Sequence, residues 1–176
     1  LPLHYACCRA GSPLEVVWYL VQEYPKSLQV TNKKGILPLH DACSRGAPLE
    51  IVQYLVQKYP GSLRVTNING NLPLHYACCS VGSPLEIVQY LVQEYPKSLQ
   101  MTTNTGHLPL HYACGRAVSP PEVVWYLVQE YPKSLQTINY THLTPPPTPY
   151  IHCSTLALSH NSVQHYPDSL LVTTTP

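Results

Sequence analysis

A His and a Cys stand three residues apart four times in this chain: His4 and Cys7, His40 and Cys43, His75 and Cys78, His111 and Cys114. On a helix such a pair shares one face, and imidazole with thiolate is a ligand set that zinc accepts. Metal binding or thiol chemistry is therefore the first chemistry the residues offer. The arithmetic opposes it. Each copy supplies only one pair, the spacing is that of neither a zinc finger nor a zinc ribbon, and a full ligand set would have to be drawn from two helices roughly 8–10 Å apart. The chain has 7 cysteines, with Cys8 and Cys79 doubling two of the pairs and Cys153 lying in the tail. An odd number at a regular period is not a disulfide framework, and reduced thiols in a reducing compartment fit better.

Other chemistries have less material. Of the 9 acidic residues, Glu15, Glu50, Glu86 and Glu122 recur at one position and Glu23, Glu94 and Glu130 at another, where one copy has Lys58 instead. Asp41 and Asp168 remain, which is no carboxylate pair for acid–base work. Four near-identical Cys-His pairs argue for architecture rather than a nucleophile, so no enzyme is expected. Tyr19, Tyr54, Tyr90 and Tyr126 share one position, preceded by Trp18 or Trp125 in two copies and by Gln53 or Gln89 in the others. The recurrence favours packing, the Trp/Gln alternation favours partial exposure, and no cofactor box is indicated. The 10 Lys and Arg are scattered apart from Lys33–Lys34, and net charge is +1, so a nucleic-acid partner is not expected. No apolar run approaches the ~20 residues that span a bilayer. These features point to a protein inside the cell, in the cytoplasm. The chain opens within a motif and without Met, which suggests a piece of a longer array.

The elements that carry the pairs repeat as well. LPLHYACCRA at residue 1, LPLHDACSRG at 37, LPLHYACCSV at 72 and LPLHYACGRA at 108 set a period of 36, 35 and 36 residues from His to His. The missing residue lies between Cys43 and Glu50, which are seven steps apart where the other copies have eight, so that junction is a loop. Each copy then reads as two helices. The first is short, with Pro at its first turn and small Ala and Cys on one face. The second is announced by Ser12-Pro13-Leu14-Glu15, in which the Ser hydroxyl can accept from the Glu15 amide while the carboxylate reaches back. Ser83 with Glu86 and Ser119 with Glu122 repeat this capping box, and Ala47 breaks it. Leu14, Val17, Leu20, Val21 and Tyr24 recur at helical steps, and Pro25, Pro60, Pro96 and Pro132 stop the second helices. A Ser-Leu pair follows, then a stretch with some strand character such as Gln29-Val30-Thr31, then turns ending in Gly35, Gly70 and Gly106.

This order of elements resembles the ankyrin repeat family. The family pattern G-x-T-P-L-H-x-A-A followed by E-V-V-x-L-L-L is matched by Gly35-Ile36-Leu37-Pro38-Leu39-His40-Asp41-Ala42-Cys43 and by Glu50-Ile51-Val52-Gln53-Tyr54-Leu55-Val56. The resemblance covers residues 1 to about 143, as four repeats at 1–36, 37–71, 72–107 and 108–143. It implies an all-α solenoid of stacked antiparallel helix pairs with projecting turns, and a structural histidine hydrogen-bonded to nearby backbone with the Cys as a small core residue. The chain departs from the family in its longer period, in Tyr-Pro-x-Ser-Leu after the second helix, and in Leu1, Leu37, Leu72 and Leu108 where the family has Thr. A Thr there can cap the first helix; Leu forgoes ~1 kcal/mol of capping and adds an apolar group that stacking could bury. Residues 144–176 read as a degenerate fifth repeat or an irregular tail, because Pro145, Pro146 and Pro147 stand where a first helix would start.

The resemblance also implies a partner, another protein bound through turn tips and the inner face of the first helices. Positions that vary while the frame stays fixed are the candidates. At the turns these are Lys33, Lys34, Ile36, Ile68, Asn69, Asn71, Thr105 and His107; on the first helices they are Tyr5, Asp41, Tyr76 and Tyr112 with Arg9, Arg45 and Arg116. Since such positions bear no packing load, joint replacement of Lys33, Lys34, Asp41, Tyr76 and Arg45 is expected to leave stability nearly unchanged. The alternatives are a metal or redox role for the His/Cys pairs and a spacer within a larger protein.

Overall fold

Each Pro-Leu-His segment opens a short helix, because Pro at the first helical position has its φ preset and lacks only an amide that would have no partner there. The computed structural model describes residues 1–9, 12–80, 85–115 and 120–137. The first helices are α1 (Pro2–Cys7), α3 (Pro38–Arg45), α5 (Pro73–Cys79) and α7 (Pro109–Cys114); the second are α2 (Leu14–Glu23), α4 (Leu49–Lys58), α6 (Leu85–Glu94) and α8 (Pro121–Glu130). First helices pack on first helices (α1 on α3, α3 on α5, α5 on α7) and second on second in the same order, while each pair folds back on itself. The result is the expected all-α solenoid. Residues 144–176, and with them the reading of a fifth repeat, lie outside the described residues.

The core is written by the repeat. Leu3, Leu39, Leu74 and Leu110 occupy equivalent buried positions in the first helices, beside Ala6, Ala42, Ala77 and Ala113 and the buried Cys7, Cys43 and Cys78. Small Ala and Cys side chains let successive first helices approach closely, and Val17, Val52, Val88 and Leu55, Leu91, Leu127 close the space from the second helices. The apolar stripe read for α2 is only partly buried: Val17 and Val21 are covered, but Leu14 and Tyr24 are 37% and 56% exposed. In α4, which has α2 on one side and α6 on the other, Ile51, Val52, Leu55 and Val56 are all buried.

Three local expectations change. The Ser12 capping box does not form, because Pro13 rather than Ser12 is the N-cap residue; its backbone is extended and its carbonyl accepts from Val16 at 3.1 Å, leaving Ser12 one position outside the helix. Ser83 and Ser119 lie outside the described residues. After the second helices there is no strand among the described residues; the proline that stops each α-helix opens a 3₁₀ turn at Pro25–Gln29, Pro60–Arg64, Pro96–Gln100 and Pro132–Thr137. Tyr24, Tyr59, Tyr95 and Tyr131 before these prolines leave the helical region at φ near −142, as the steric demand of a following Pro requires.

The third concerns the leucine that replaces Thr. Leu37, Leu72 and Leu108 are buried to between 1% and 3% exposure, so they are core residues. Nor is the cap lost: the Leu37 amide donates to His40 Nδ1 at 3.1 Å, and Leu72 and Leu108 do the same to His75 and His111. The imidazole thus performs one half of a capping box, reaching back to the N-cap amide as a Glu would. Burial therefore outweighs capping. Leu37→Thr is expected to lose about 1.5–3 kcal/mol of burial against a recovery of at most ~1 kcal/mol from the hydroxyl. Chemical denaturation should show a net loss, and a gain in stability would return the advantage to capping.

Candidate functional site

The histidines of the second and third repeats, His40 and His75, hold both of their ring nitrogens on backbone. Since an amide donates to Nδ1, that nitrogen is unprotonated, and Nε2 carries the hydrogen. It donates to the turn that closes the repeat and leads into the next first helix: His40 Nε2 to Asn71 O at 3.2 Å and His75 Nε2 to His107 O at 3.3 Å, with His4 Nε2 in the same contact with Ile36 O at 2.9 Å. Burial pushes His40 and His75 down to about 4 from 6.5, against an opposing pull from the carbonyls that accept from them. They are neutral at pH 7, and no lone pair is left for a metal without breaking a frame bond. Among the described residues no three of His, Cys, Asp or Glu converge on one point. Burial raises the Cys7 thiol to about 12 and the Cys43 and Cys78 thiols further, so none of the three is a thiolate at neutral pH.

The turns are built to one plan. Asn32 Oδ1 accepts from the amides of Lys34 and Ile36 at 2.8 and 3.2 Å, and Asn67 Oδ1 accepts from Asn69 and Asn71 at 2.9 Å each. In the third turn Thr103 Oγ1 takes the His107 amide at 3.2 Å. Each reversal closes through glycine at positive φ, with Gly35, Gly70 and Gly106 at 71°, 80° and 78°. Adjacent tips are then joined by backbone: Ile68 N donates to Lys34 O at 3.2 Å and Asn104 N to Asn69 O at 3.0 Å, with Asn104 Nδ2 adding a bond to Ile68 O. The tips form a continuous ledge rather than separate fingers.

The candidate residues fall into two groups on this frame. Lys33, Lys34, Asn69, Thr105, His107, Arg9 and Arg45 are exposed, as are Ile68 and Tyr5, both at 63%. The Arg9 guanidinium lies over the Tyr5 ring at 5.6 Å. The second group works inside the stack. Asn71 is buried, its amide, carbonyl and side chain all hydrogen-bonded, the last to the Tyr112 hydroxyl at 2.6 Å. Tyr76 accepts from Asn67 Nδ2 at 2.8 Å and sets its ring edge-to-face on His40, 5.5 Å between centroids; Tyr112 meets His75 in the same way at 5.3 Å. Ile36 and Asp41 are half-buried. Burial raises the Asp41 carboxyl, opposed by His4 and Arg45. Arg116 lies outside the described residues. The expectation that Tyr76 bears no load therefore fails, because its ring and hydroxyl link two repeats.

Helix pairs stacked through this imidazole, with a ledge of linked tips, are matched by the family model for ankyrin repeats (3 copies) over residues 3–103 and 63–139. The chain belongs to the ankyrin repeat family. No curated protein matches it. Ankyrin repeats are in general protein-interaction modules without catalytic activity, and no described helix is long and apolar enough to cross a membrane. In this ankyrin stack sequence reasoning found the exposed tips but missed Asn67, Asn104 and the tyrosine bonds. The recurrence of Asn or Thr four residues before each His107-type position was the available signal.

Two measurements test this frame. His40 and His75 are held by burial at about 4 in the folded chain against 6.5 when unfolded, so between those values the unfolded state binds more protons. Their contribution is complete above pH 6.5 and is lost as pH falls toward 4. Urea unfolding should show a loss on the order of 1–2 kcal/mol per histidine on going from neutral pH to about pH 5; a flat profile would remove the neutral imidazole from the account. For the turns, a Cβ at Gly70 would lie 2.7 Å from Asn104 N, whereas at Gly106 it would meet nothing within 4 Å among the described residues. Gly106→Ala is expected to cost roughly 1–2 kcal/mol from its left-handed backbone alone, and Gly70→Ala clearly more. Equal losses would mean that the tips do not bear on one another.

Proposed function

We propose that this chain is a non-catalytic scaffold that binds another protein through its ledge of turn tips and the exposed part of the first helices. The observation that carries the reading is the coincidence of variability with exposure. Lys33, Lys34, Ile68, Asn69, Thr105 and His107 differ from repeat to repeat, point to solvent, and sit on backbone held by interstrand-like bonds from tip to tip. A preorganised ledge loses little conformational entropy on binding, and that favours recognition by residues it merely displays. Lys33 and Lys34 on the first tip and Arg45 on α3 supply exposed positive charge, and the exposed Ile68 on the next tip supplies an apolar anchor. The partner this suits is a protein with an acidic patch beside an apolar side chain.

The alternative of a metal or redox role for the His/Cys pairs gains no support from a frame in which both ring nitrogens of His40 and His75 are hydrogen-bonded and burial keeps the Cys7, Cys43 and Cys78 thiols protonated. The test separates surface from frame. Lys33→Glu, Lys34→Glu, Arg45→Glu and Ile68→Ser combined should abolish capture of the bound partner while the melting transition moves little; Tyr76 and Asn71 are left intact because they hold the stack. Gln53→Ala, Gln57→Ala and Gln93→Ala on the second helices should leave capture unchanged. Capture lost by the glutamine set and kept by the ledge set would put the surface on the opposite side.

A further inference from the structure

The second-helix side of the stack carries a crevice of about 440 Å³ between the first and second repeats, lined by residues that include Val21, Pro25, Lys26, Leu28, Tyr54, Lys58 and Tyr59. Its volume lies within the usual range of small-ligand pockets, about 300–1,000 Å³. Its charge is an exception within the array. Three repeats place Glu23, Glu94 or Glu130 before the Tyr-Pro step, and the second places Lys58. Lys26 is followed at equivalent positions by Gly61, Lys97 and Lys133. The junction of repeats 2 and 3 therefore combines Gly61 with Glu94, and that of repeats 3 and 4 combines Lys97 with Glu130. Only the first crevice pairs two lysines, and no Asp or Glu lines it. Lys58 Nζ lies over the Tyr54 ring, 5.6 Å from its centroid. The Tyr54 hydroxyl is buried with no hydrogen-bond partner among the described residues.

An O–H donor out of water without an acceptor is costly, and a small tilt of the ring toward a ligand oxygen in the crevice removes that cost. Two ammonium groups match a doubly charged oxyanion better than a single carboxylate, and a phosphate monoester is close to dianionic at neutral pH. The remaining wall is aromatic and aliphatic. We propose that this crevice binds a phosphate monoester carried on an aromatic ring, held by Lys26, Lys58 and the Tyr54 hydroxyl with the ring against Leu28, Pro25 and Tyr59. The chemistry is that of a free aryl phosphate or of a phosphotyrosyl side chain on a partner. It is independent of the tip ledge, which is formed by the turns between the helix pairs.

The test is an NMR titration of the full chain with phenyl phosphate, inorganic phosphate and a short phosphotyrosyl peptide. Saturable shifts at Tyr54, Lys58 and Lys26 amides are expected with phenyl phosphate at millimolar concentration, weakening with salt and at least several-fold tighter than with inorganic phosphate. Tighter binding of the peptide than of phenyl phosphate assigns the site to a modified protein; equal or weaker binding assigns it to a free ester. Lys58→Glu installs the residue type of the other three repeats, so the stack should hold while affinity falls by about tenfold or more. Tyr54→Phe removes a hydroxyl that makes no bond, so stability should not drop although affinity does. Glu130→Lys gives the third junction the same two lysines and should add a second, weaker site. No saturable binding to the folded chain, equal affinity for inorganic and phenyl phosphate, or unchanged affinity in Lys58→Glu or Tyr54→Phe would each overturn the proposal.

Discussion

One imidazole per repeat joins what would otherwise be separate helix pairs. In the second and third repeats its Nδ1 accepts the amide at the N-cap of its own helix and its Nε2 donates to the carbonyl of the following turn, as in His40 between Leu37 and Asn71. A neutral histidine can do both at once, because it is acceptor at one ring nitrogen and donor at the other; a carboxylate could only accept and an ammonium could only donate. The geometry demands a buried, neutral ring. Burial supplies the neutrality, since the desolvated imidazolium is disfavoured.

Much of the remaining architecture follows from this bond. With the N-cap amide taken by the imidazole and the N3 amide of the histidine itself donating to the N-cap carbonyl, the N-cap residue has no need of a hydroxyl, and Leu37, Leu72 and Leu108 spend the position on core volume instead. For the ring to reach the next turn the first helices must lie close, which is what Ala42, Cys43 and their equivalents permit. Tyr76 and Tyr112 then seal the imidazoles edge-on and tie them to Asn67 and Asn71. These links tie each first helix to the turns and first helices beside it, so the stack holds collectively.

A frame that satisfies its own polar groups leaves its surface free to vary. The tip backbone is fixed by asparagine or threonine caps and by bonds from tip to tip, so side chains such as Lys33, Ile68 and Thr105 can change without moving the chain that displays them. The same holds on the far side, where the exchange of a glutamate for Lys58 alters the character of one junction and leaves the helices as they are.

The repeat period, the two helices of each copy, the prolines that start and stop them, and the glycine turns were legible in the sequence, because each is a local signal in φ, ψ or 3.6-residue periodicity. The structural part played by the repeated His/Cys pairs was legible too, from their number and spacing. What tertiary structure alone decided lies between repeats. Variation at Asn71, Tyr76 and Tyr112 reads as freedom in a single copy, yet their partners, Tyr112, Asn67 and the preceding histidines, stand 9 to 41 residues away. Leu37 was ambiguous for the same reason: a sequence shows the hydroxyl that is absent, whereas the neighbours that bury the leucine are set by stacking. Local backbone preference is written residue by residue, while burial and cross-repeat hydrogen bonding exist only once the copies are packed.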